Sequence, residues 1–346
     1  LNWEIDLWGN LRWGRRQGIA EYLGTVEAER ALRMTLIAEV ARAYYELIAL
    51  DNELSIVRQT LETRKEGVHQ ARLRFEGGLT SETSYQQAQV ELATTATLIP
   101  ELERRIAVKE HEIALLAGEY PDRIARQAMD PAATMPEHLP VGLPSELLRR
   151  RPDVRRAEQA LEAAYAAVGV AYTDRFPRIQ LSAAIGVEND LLSSLFSSPY
   201  SFVSGAIAGP VFGFGKKRAR YQAQQAAYRQ ECRRYERTVL TVFKEVSDAI
   251  VTYDSSLRAS ELKRNLERAA RSYVELARLQ YLNGVINYLD VLDAQRRYFD
   301  AQIGLSNALR DQRLARVQLY KALGGGWEDA PASPADSTVP AQSSVK

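Results

Sequence analysis

Cysteine is all but absent from this chain. Cys232 stands alone among 346 residues, which excludes a disulfide framework and a zinc cluster. Histidine is nearly as scarce, and His69, His111 and His138 share no ligand spacing. No apolar run approaches the ~18 residues of a membrane-crossing helix. Charge of one sign is lacking too: the net charge is +1, so there is no broad basic field and no nucleic-acid partner is expected. No Ser/His/Asp or paired-carboxylate constellation appears, so neither an enzyme nor a cofactor is expected. Gly213-x-Gly215 lacks the third glycine of a nucleotide loop, position 218 being Arg, and more simply marks a strand-to-helix junction. What is present is a foldable composition, 46% hydrophobic and 26% charged, which excludes wholesale disorder.

The chain also contains itself twice. Shifted by 206 positions, Asp6–Gly118 falls on Phe212–Gly324 without a gap. Gly9/Gly215, Tyr22/Tyr228, Glu39/Glu245, the run Ala71-Arg72-Leu73/Ala277-Arg278-Leu279, Gly78/Gly284 and Gly118/Gly324 are identical. A period this long is no solenoid unit and reads as two structural halves. Residues 152–209 have no counterpart in the first half, so at least about 50 residues are expected ahead of Leu1 in the whole protein. The expected organisation is a first repeat at 1–118 (a strand and a long helical hairpin) and a Pro-rich equatorial linker at 119–151. A second repeat follows at 152–324 (a short helix, two strands, a long hairpin), then a largely disordered tail at 325–346.

Two periods alternate along the chain. In residues 1–8, Leu1, Trp3, Ile5 and Leu7 oppose Asn2, Glu4 and Asp6, the period-two pattern of a strand with one apolar face. Residues 178–189 repeat it, and a third strand is expected over Phe202–Phe214. Elsewhere the period is helical. Leu36, Val40, Ala43, Leu47, Leu50, Leu54, Val57 and Leu61 are spaced alternately by four and three, a heptad seam. Helices are predicted over Arg12–Glu76, Thr80–Ala117, Pro152–Arg175, Lys216–Leu282 and Asn287–Leu323. The long ones span about 100 Å and their return helices about 55 Å. Pro152–Arg175 stacked on Asn287–Leu323 matches a long helix, which predicts a rod of two equal columns broken near mid-height.

Strands of this kind suit either a soluble sandwich or a transmembrane barrel. The barrel is favoured by aromatics at or near strand ends, Trp3, Trp8, Trp13, Phe212 and Phe214, each set followed by Arg or Lys. Three or four strands do not close a barrel, and open edges find no water in a membrane. Oligomerisation is therefore expected.

Several motifs closely resemble the outer-membrane efflux factor family, the TolC-like channel-tunnels, and specifically its NodT-type lipoprotein branch. They are Leu143-Pro-Ser-Glu-Leu-Leu-Arg-Arg-Arg-Pro-Asp153, Trp3-Glu-Ile-Asp-Leu-Trp-Gly9, Tyr288-Leu-Asp-Val-Leu-Asp-Ala-Gln-Arg296 and Leu319-Tyr-Lys-Ala-Leu-Gly-Gly-Gly-Trp327. The resemblance covers residues 1–327. It implies a mainly helical fold with a small β part: a homotrimer forming a helical periplasmic tunnel continued by an outer-membrane β-barrel. Each subunit would give four strands, three of them present here. It also implies outer-membrane lipid as surroundings, a periplasmic adaptor (membrane fusion protein) and an inner-membrane pump of the resistance-nodulation-division (RND) type as partners. Drugs or other small molecules are the implied cargo. The family's N-terminal lipid anchor is expected on the preceding segment. A protein-secretion exit duct and a trimeric coiled-coil scaffold are the alternatives.

By the same resemblance, the helix turns meet the adaptor. Arg74, Phe75, Gly78, Thr80, Ser81, Gln280, Tyr281, Gly284 and Val285 are the candidate docking residues; the alternative is that they only cap and turn helices. Motif matching puts Leu289, Asp293 and Arg296 at the family's gate, with Asp290 beside them. Leu289 would form an apolar ring, and Asp293 a carboxylate ring or an ion pair with Arg296. The alternative is a solvated face. The first copy has Thr83, Gln87 and Val90 there, which marks the second as the gate.

Overall fold

A computed structural model of the chain describes residues 1–126, 144–187, 199–209 and 213–325. Phe212, most of the linker, the Ser-rich loop after β2 and the tail from residue 326 lie outside the described residues. In chain order the elements are β1 (Asn2–Ile5), α1 (Asn10–Glu76), α2 (Glu82–Ala117), α3 (Pro144–Arg150), α4 (Pro152–Thr173), β2 (Arg178–Val187), β3 (Pro199–Ala208), α5 (Phe214–Leu282) and α6 (Tyr288–Ala322). The described residues group into two compact units, Leu1–Leu32 with Leu143–Phe243, and Arg33–Gly142 with Lys244–Lys346. None of the described helices is long and apolar enough to cross a membrane.

The first unit holds the sheet, which is antiparallel in the order β1-β2-β3. Its register sets Trp3 beside Leu181, Ile5 beside Ile179, Ile179 beside Ile207 and Ala183 beside Val203. Residues across a ladder share a face, so the apolar residues of all three strands line up on one side. Among the described residues nothing in this unit covers that side: Trp3, Ile185, Val203 and Ile207 are 61%, 88%, 81% and 75% exposed. The first strand is shorter than the alternation over residues 1–8 implies. Asp6 leaves the sheet to accept hydrogen bonds from the backbone N–H groups of Leu11 and Arg12, 3.0 Å each, at the start of α1. Exposed donors at a helix start are costly, and capping two of them ends the strand.

Below the sheet α4 packs between α1 and α5. Trp13 lies against Gly169, where a Cβ would come within 2.3 Å of the indole. Tyr165 meets Trp13 edge-on at 5.6 Å and Tyr228 at 5.7 Å; one heptad on, Tyr172 meets Tyr221 at 5.7 Å. The motif around Arg151 has a structural use. Pro144–Arg150, read from sequence as linker, forms the short helix α3, and Arg151 starts α4 in extended conformation ahead of Pro152. Its buried guanidinium donates to Asp153 at 3.0 and 2.5 Å.

In the second unit the middle of the predicted seam of α1 is the core, while Leu36 at its start is exposed. Ala43, Leu47, Leu50, Leu54 and Val57 are buried against Leu102, Ile106 and Ile113 of α2, and Ile48 and Ala49 pack on Leu309 of α6. Lys109 interrupts the α2 stripe and is neutralised by Glu46 and Glu112 at 2.8 and 2.6 Å. After α2, Arg126 bridges Asp51 and Glu110 and pins the chain to α1 and α2. α2 continues through Pro100; packing on both sides of it outweighs the lost backbone hydrogen bond.

Candidate functional site

The two long helices end in the same hydrogen-bonded turn. At α1 the N–H of Gly78 donates to Phe75 O (2.9 Å) and that of Leu79 to Arg74 O (2.8 Å); at α5, Gly284 donates to Tyr281 O (3.0 Å) and Val285 to Gln280 O (2.9 Å). This is the Schellman pattern, and it needs a left-handed residue. Gly78 and Gly284 supply it, at φ 70° and 73°. The residue after each glycine is thrust outward, Leu79 75% and Val285 69% exposed. At the start of α5, by contrast, the left-handed glycine is Gly213, not the Gly215 that the 206-residue shift pairs with Gly9.

The two turns meet. Arg74 lies over the Tyr281 ring at 4.5 Å, Tyr281 contacts Tyr288 at 5.4 Å, and Phe75 stacks on Tyr85 at 6.2 Å. Tyr288 is buried with Ala71, Ala88, Val291 and Leu292. A Cβ at residue 67 would lie 3.1 Å from its phenol oxygen, so Gly67 leaves room for Tyr288. Burial, with Tyr281 adding, pushes the Tyr288 phenol up. Of the remaining docking candidates, Ser81 precedes α2 and is exposed, Gln280 is exposed, and Thr80 Oγ1 is buried without a partner among the described residues.

Just inside the turns one carboxylate serves two arginines. Arg64 of α1 brings Nη1 to 2.7 Å from Glu91 of α2. Arg296 of α6 donates to Glu91 Oε1 from Nε (2.8 Å) and Nη2 (2.5 Å). The Arg64 contact is a close ion pair rather than an aligned hydrogen bond, and its Nε finds no acceptor among the described residues. Burial, then the charge of Arg296, lowers the Arg64 pKa against the pull of Glu91. Arg296 is held firmly charged, chiefly by its hydrogen bond to Glu91.

The gate candidates are therefore distributed differently from expectation. Leu289 is 53% exposed. Asp293 pairs with Arg297 at 2.8 Å and not with Arg296. An acid four residues ahead of a base is the favoured helical pairing, and Glu91 draws Arg296 away. Asp290 accepts from the N–H of Asn287 at 3.0 Å and completes a capping box at the start of α6. Its carboxylate is engaged locally.

At the strand–helix junction Trp3 lies on the open face of the sheet. Trp8 stacks on Phe176 at 4.8 Å and donates to Pro177 O at 2.9 Å. Trp13 is one turn into α1 and half-buried on Gly169; its bulk seals a helix pair instead of joining an aromatic rim. Phe214 is the first residue of α5. Asp174, in the turn after α4, collects Lys217 (2.5 Å), Arg178 (3.2 Å) and Arg220 (3.5 Å). Burial works to raise its pKa, and the Lys217 and Arg178 hydrogen bonds outweigh it, holding the carboxyl below the usual range.

Sequence reasoning missed Arg64, Gly67 and Glu91. A signal existed: Val57, Leu61, Arg64, Val68 and Ala71 continue the four-three spacing, with an arginine at a seam position. A charge there requires a partner, and Glu91 stands between Ala88 and Thr95 on the facing stripe. Among the described residues no group of His, Cys, Asp and Glu could hold a metal ion.

Comparison with known proteins gives a consistent answer. The sequence profile described as outer membrane efflux protein matches residues 1–119 and 143–325. The solvent efflux pump outer membrane protein SrpC of Pseudomonas putida is 36% identical over 332 residues, 94% of this chain and 70% of the relative. The outer membrane protein OprJ of Pseudomonas aeruginosa is 31% identical over 334 residues, 94% of this chain and 69% of the relative. Among solved structures, the outer-membrane channel OprN superposes with a TM-score of 0.88 at 30% identity, over 94% of this chain and 74% of its own.

Proposed function

Because the chain belongs to the outer membrane efflux protein family and is an exit duct for efflux in the outer membrane, we propose that three copies close it into one barrel and one tunnel. The family is one of transport ducts, not of enzymes. The observation that carries the trimer is the sheet, with its uncovered apolar face and its two outer strands each paired on one side only among the described residues. Such a sheet is unsuited to water, and in lipid its edges need further strands. Neighbouring copies supply them, as they supply partners for the exposed leucines and valines of the long helices. Four strands per chain, a first repeat extended by the preceding segment, and a lipid anchor on that segment complete this reading.

The duct takes its cargo passively from an inner-membrane RND pump through a periplasmic adaptor. The paired turns at Gly78 and Gly284 are the docking ends. Their exposed Leu79, Ser81 and Val285 offer an apolar and hydroxyl surface, braced behind by Arg74 on Tyr281. Leu289 forms the apolar constriction and Asp293 the carboxylate beside it. Arg296 and Glu91 lock α6 to α2, and Asp290 shapes the end of the helix. SrpC is named for solvent efflux, so small apolar molecules are the first cargo to test.

The deciding experiment is purification of the full-length protein in detergent, followed by mass measurement and single-channel recording. A trimer mass and discrete conductance steps are expected. A monomeric mass without conductance would overturn the trimeric duct.

A further inference from the structure

The strand–helix junction concentrates charge that the rest of the chain cancels. Residues 6–20, 172–180 and 213–220 hold nine Lys or Arg and two Asp or Glu, in a chain whose net charge is +1. Both carboxylates are occupied. Asp6 accepts from the Leu11 and Arg12 backbone and pairs with Arg12 at 3.2 Å. Asp174 binds Lys217, Arg178 and Arg220. Arg16 is taken by Glu162. Arg15, Lys216 and Arg218 are exposed, and no carboxylate pairs with them among the described residues.

Arg175 adds a fixed cation. Its guanidinium lies over Tyr172 at 4.3 Å and Tyr221 at 4.9 Å, and its Nε donates to Tyr172 O at 3.2 Å. Two rings hold the group in place, and no acid among the described residues compensates its charge. These cations flank the ends of β1, β2 and β3 nearest the helices, so they border the bare apolar face carrying Trp3, Val203 and Ile207.

We propose that this junction is a binding surface for anionic phospholipids, with headgroup phosphodiesters distributed over Arg15, Arg175, Lys216 and Arg218 and the acyl chains along the apolar face. The proposal rests on the reading of the sheet as membrane-spanning. A phosphodiester suits the guanidinium fork and the ammonium point charge alike. A zwitterionic headgroup brings its own ammonium into the same cationic field and is disfavoured. Nucleic acid fits poorly, because the cations border an apolar face and the chain as a whole is near neutral. The acids present serve to order neighbouring cations, as Asp174 does, rather than to cancel the patch.

The test is native mass spectrometry of the full-length protein, with equimolar phosphatidylglycerol and phosphatidylcholine of matched acyl chains. Each cation near an anionic surface favours it by a few-fold. The wild type should therefore retain phosphatidylglycerol about tenfold over phosphatidylcholine, and less as salt is raised. R15Q/K216Q/R218Q should lower the ratio to the few-fold that Arg175 alone supports, while R15K/K216R/R218K keeps it. Equal retention by the wild type, or an unchanged ratio in the glutamine variant, would overturn the headgroup surface. If the glutamine variant fails to fold, the salt titration and the charge-conserving variant still decide. Bilayers of pure phosphatidylcholine separate the two levels. Conductance there without any headgroup preference removes only the lipid surface; failure to insert in either lipid removes the membrane-spanning reading and the surface with it.

Discussion

Arg296 and Glu91, 205 positions apart in the chain, are joined by two hydrogen bonds to a single carboxylate oxygen, at 2.8 and 2.5 Å. The other oxygen faces the buried Arg64. Three helices are thus tied by one side chain. Glu91→Gln removes the one charge that pairs with Arg64 among the described residues, and should cost about 3 kcal/mol. Arg64→Met with Glu91→Met should recover most of that loss, because an apolar pair suits two seam positions. Denaturant unfolding compares them, and hydrogen exchange over residues 280–296 should quicken in Glu91→Gln alone.

Leu289→Ala with Asp293→Ala should raise single-channel conductance, since both side chains are assigned to the constriction. Arg297→Ala frees Asp293 from its 2.8 Å partner and should increase cation selectivity without widening the pore. Conductance and reversal potential in a planar bilayer read the two effects separately. Unchanged conductance in the double variant would remove Leu289 and Asp293 from the gate.

A photocrosslinking residue at Ser81 or Val285 should give an adduct with the cognate adaptor, whereas one at Tyr120, far along the sequence from both turns, should not. Gly284→Ala places a Cβ on a residue at φ 73°. It should cost about 1 kcal/mol and reduce crosslinking from Val285, whose position depends on that turn.

Gly169→Ala drives a methyl into Trp13, with the nearest indole atom 2.3 Å from the new carbon. Overpacking of this kind costs about 1–3 kcal/mol. Adding Trp13→Leu should restore part of the loss, a rescue that thermal unfolding can follow. If Trp13 served only as an interfacial aromatic, Gly169→Ala would be silent.

Acid should loosen α1 from α2. Burial works to raise the pKa of Glu46, but hydrogen bonds from Lys109 and Arg42 outweigh it and hold it below 4.5, its ordinary value. A carboxyl depressed on folding contributes stability that is complete above its unfolded pKa and is lost as pH falls through the folded one. The melting temperature should therefore fall below about pH 4.5, from this carboxyl's ordinary value. Glu46→Gln should be less stable at neutral pH and show a shallower acid decline.

Much of the fold was legible because it rests on period and punctuation. The four-three spacing became the buried face of α1 from Ala43 to Val57, though Leu36 at its start is exposed, and the glycines that close both long helices lie at positive φ. What escaped depended on contacts distant in sequence. Arg64 and Glu91 read as interruptions of two stripes, and only packing shows that they meet. Trp13 and Trp8 look alike in an aromatic-then-basic pattern, yet only Gly169, more than 150 positions on, decides that Trp13 turns inward. The alternation over residues 1–8 concealed the capping role of Asp6, since a polar residue is expected there in either case. Of the two roles expected for Asp293, the ion pair with Arg296 is replaced by one with Arg297, because Glu91, which draws Arg296 away, is invisible from within α6.

The sheet edges left unpaired among the described residues make its stability, on the proposed trimer, a matter of mass action. In the proposed trimer a strand takes its last hydrogen-bonding partners from another copy and binds them with an affinity, so the sheet would unfold with a midpoint that depends on protein concentration. Dilution in detergent acts on such a sheet as a denaturant would. Its melting temperature is therefore meaningful only beside the concentration at which it was taken.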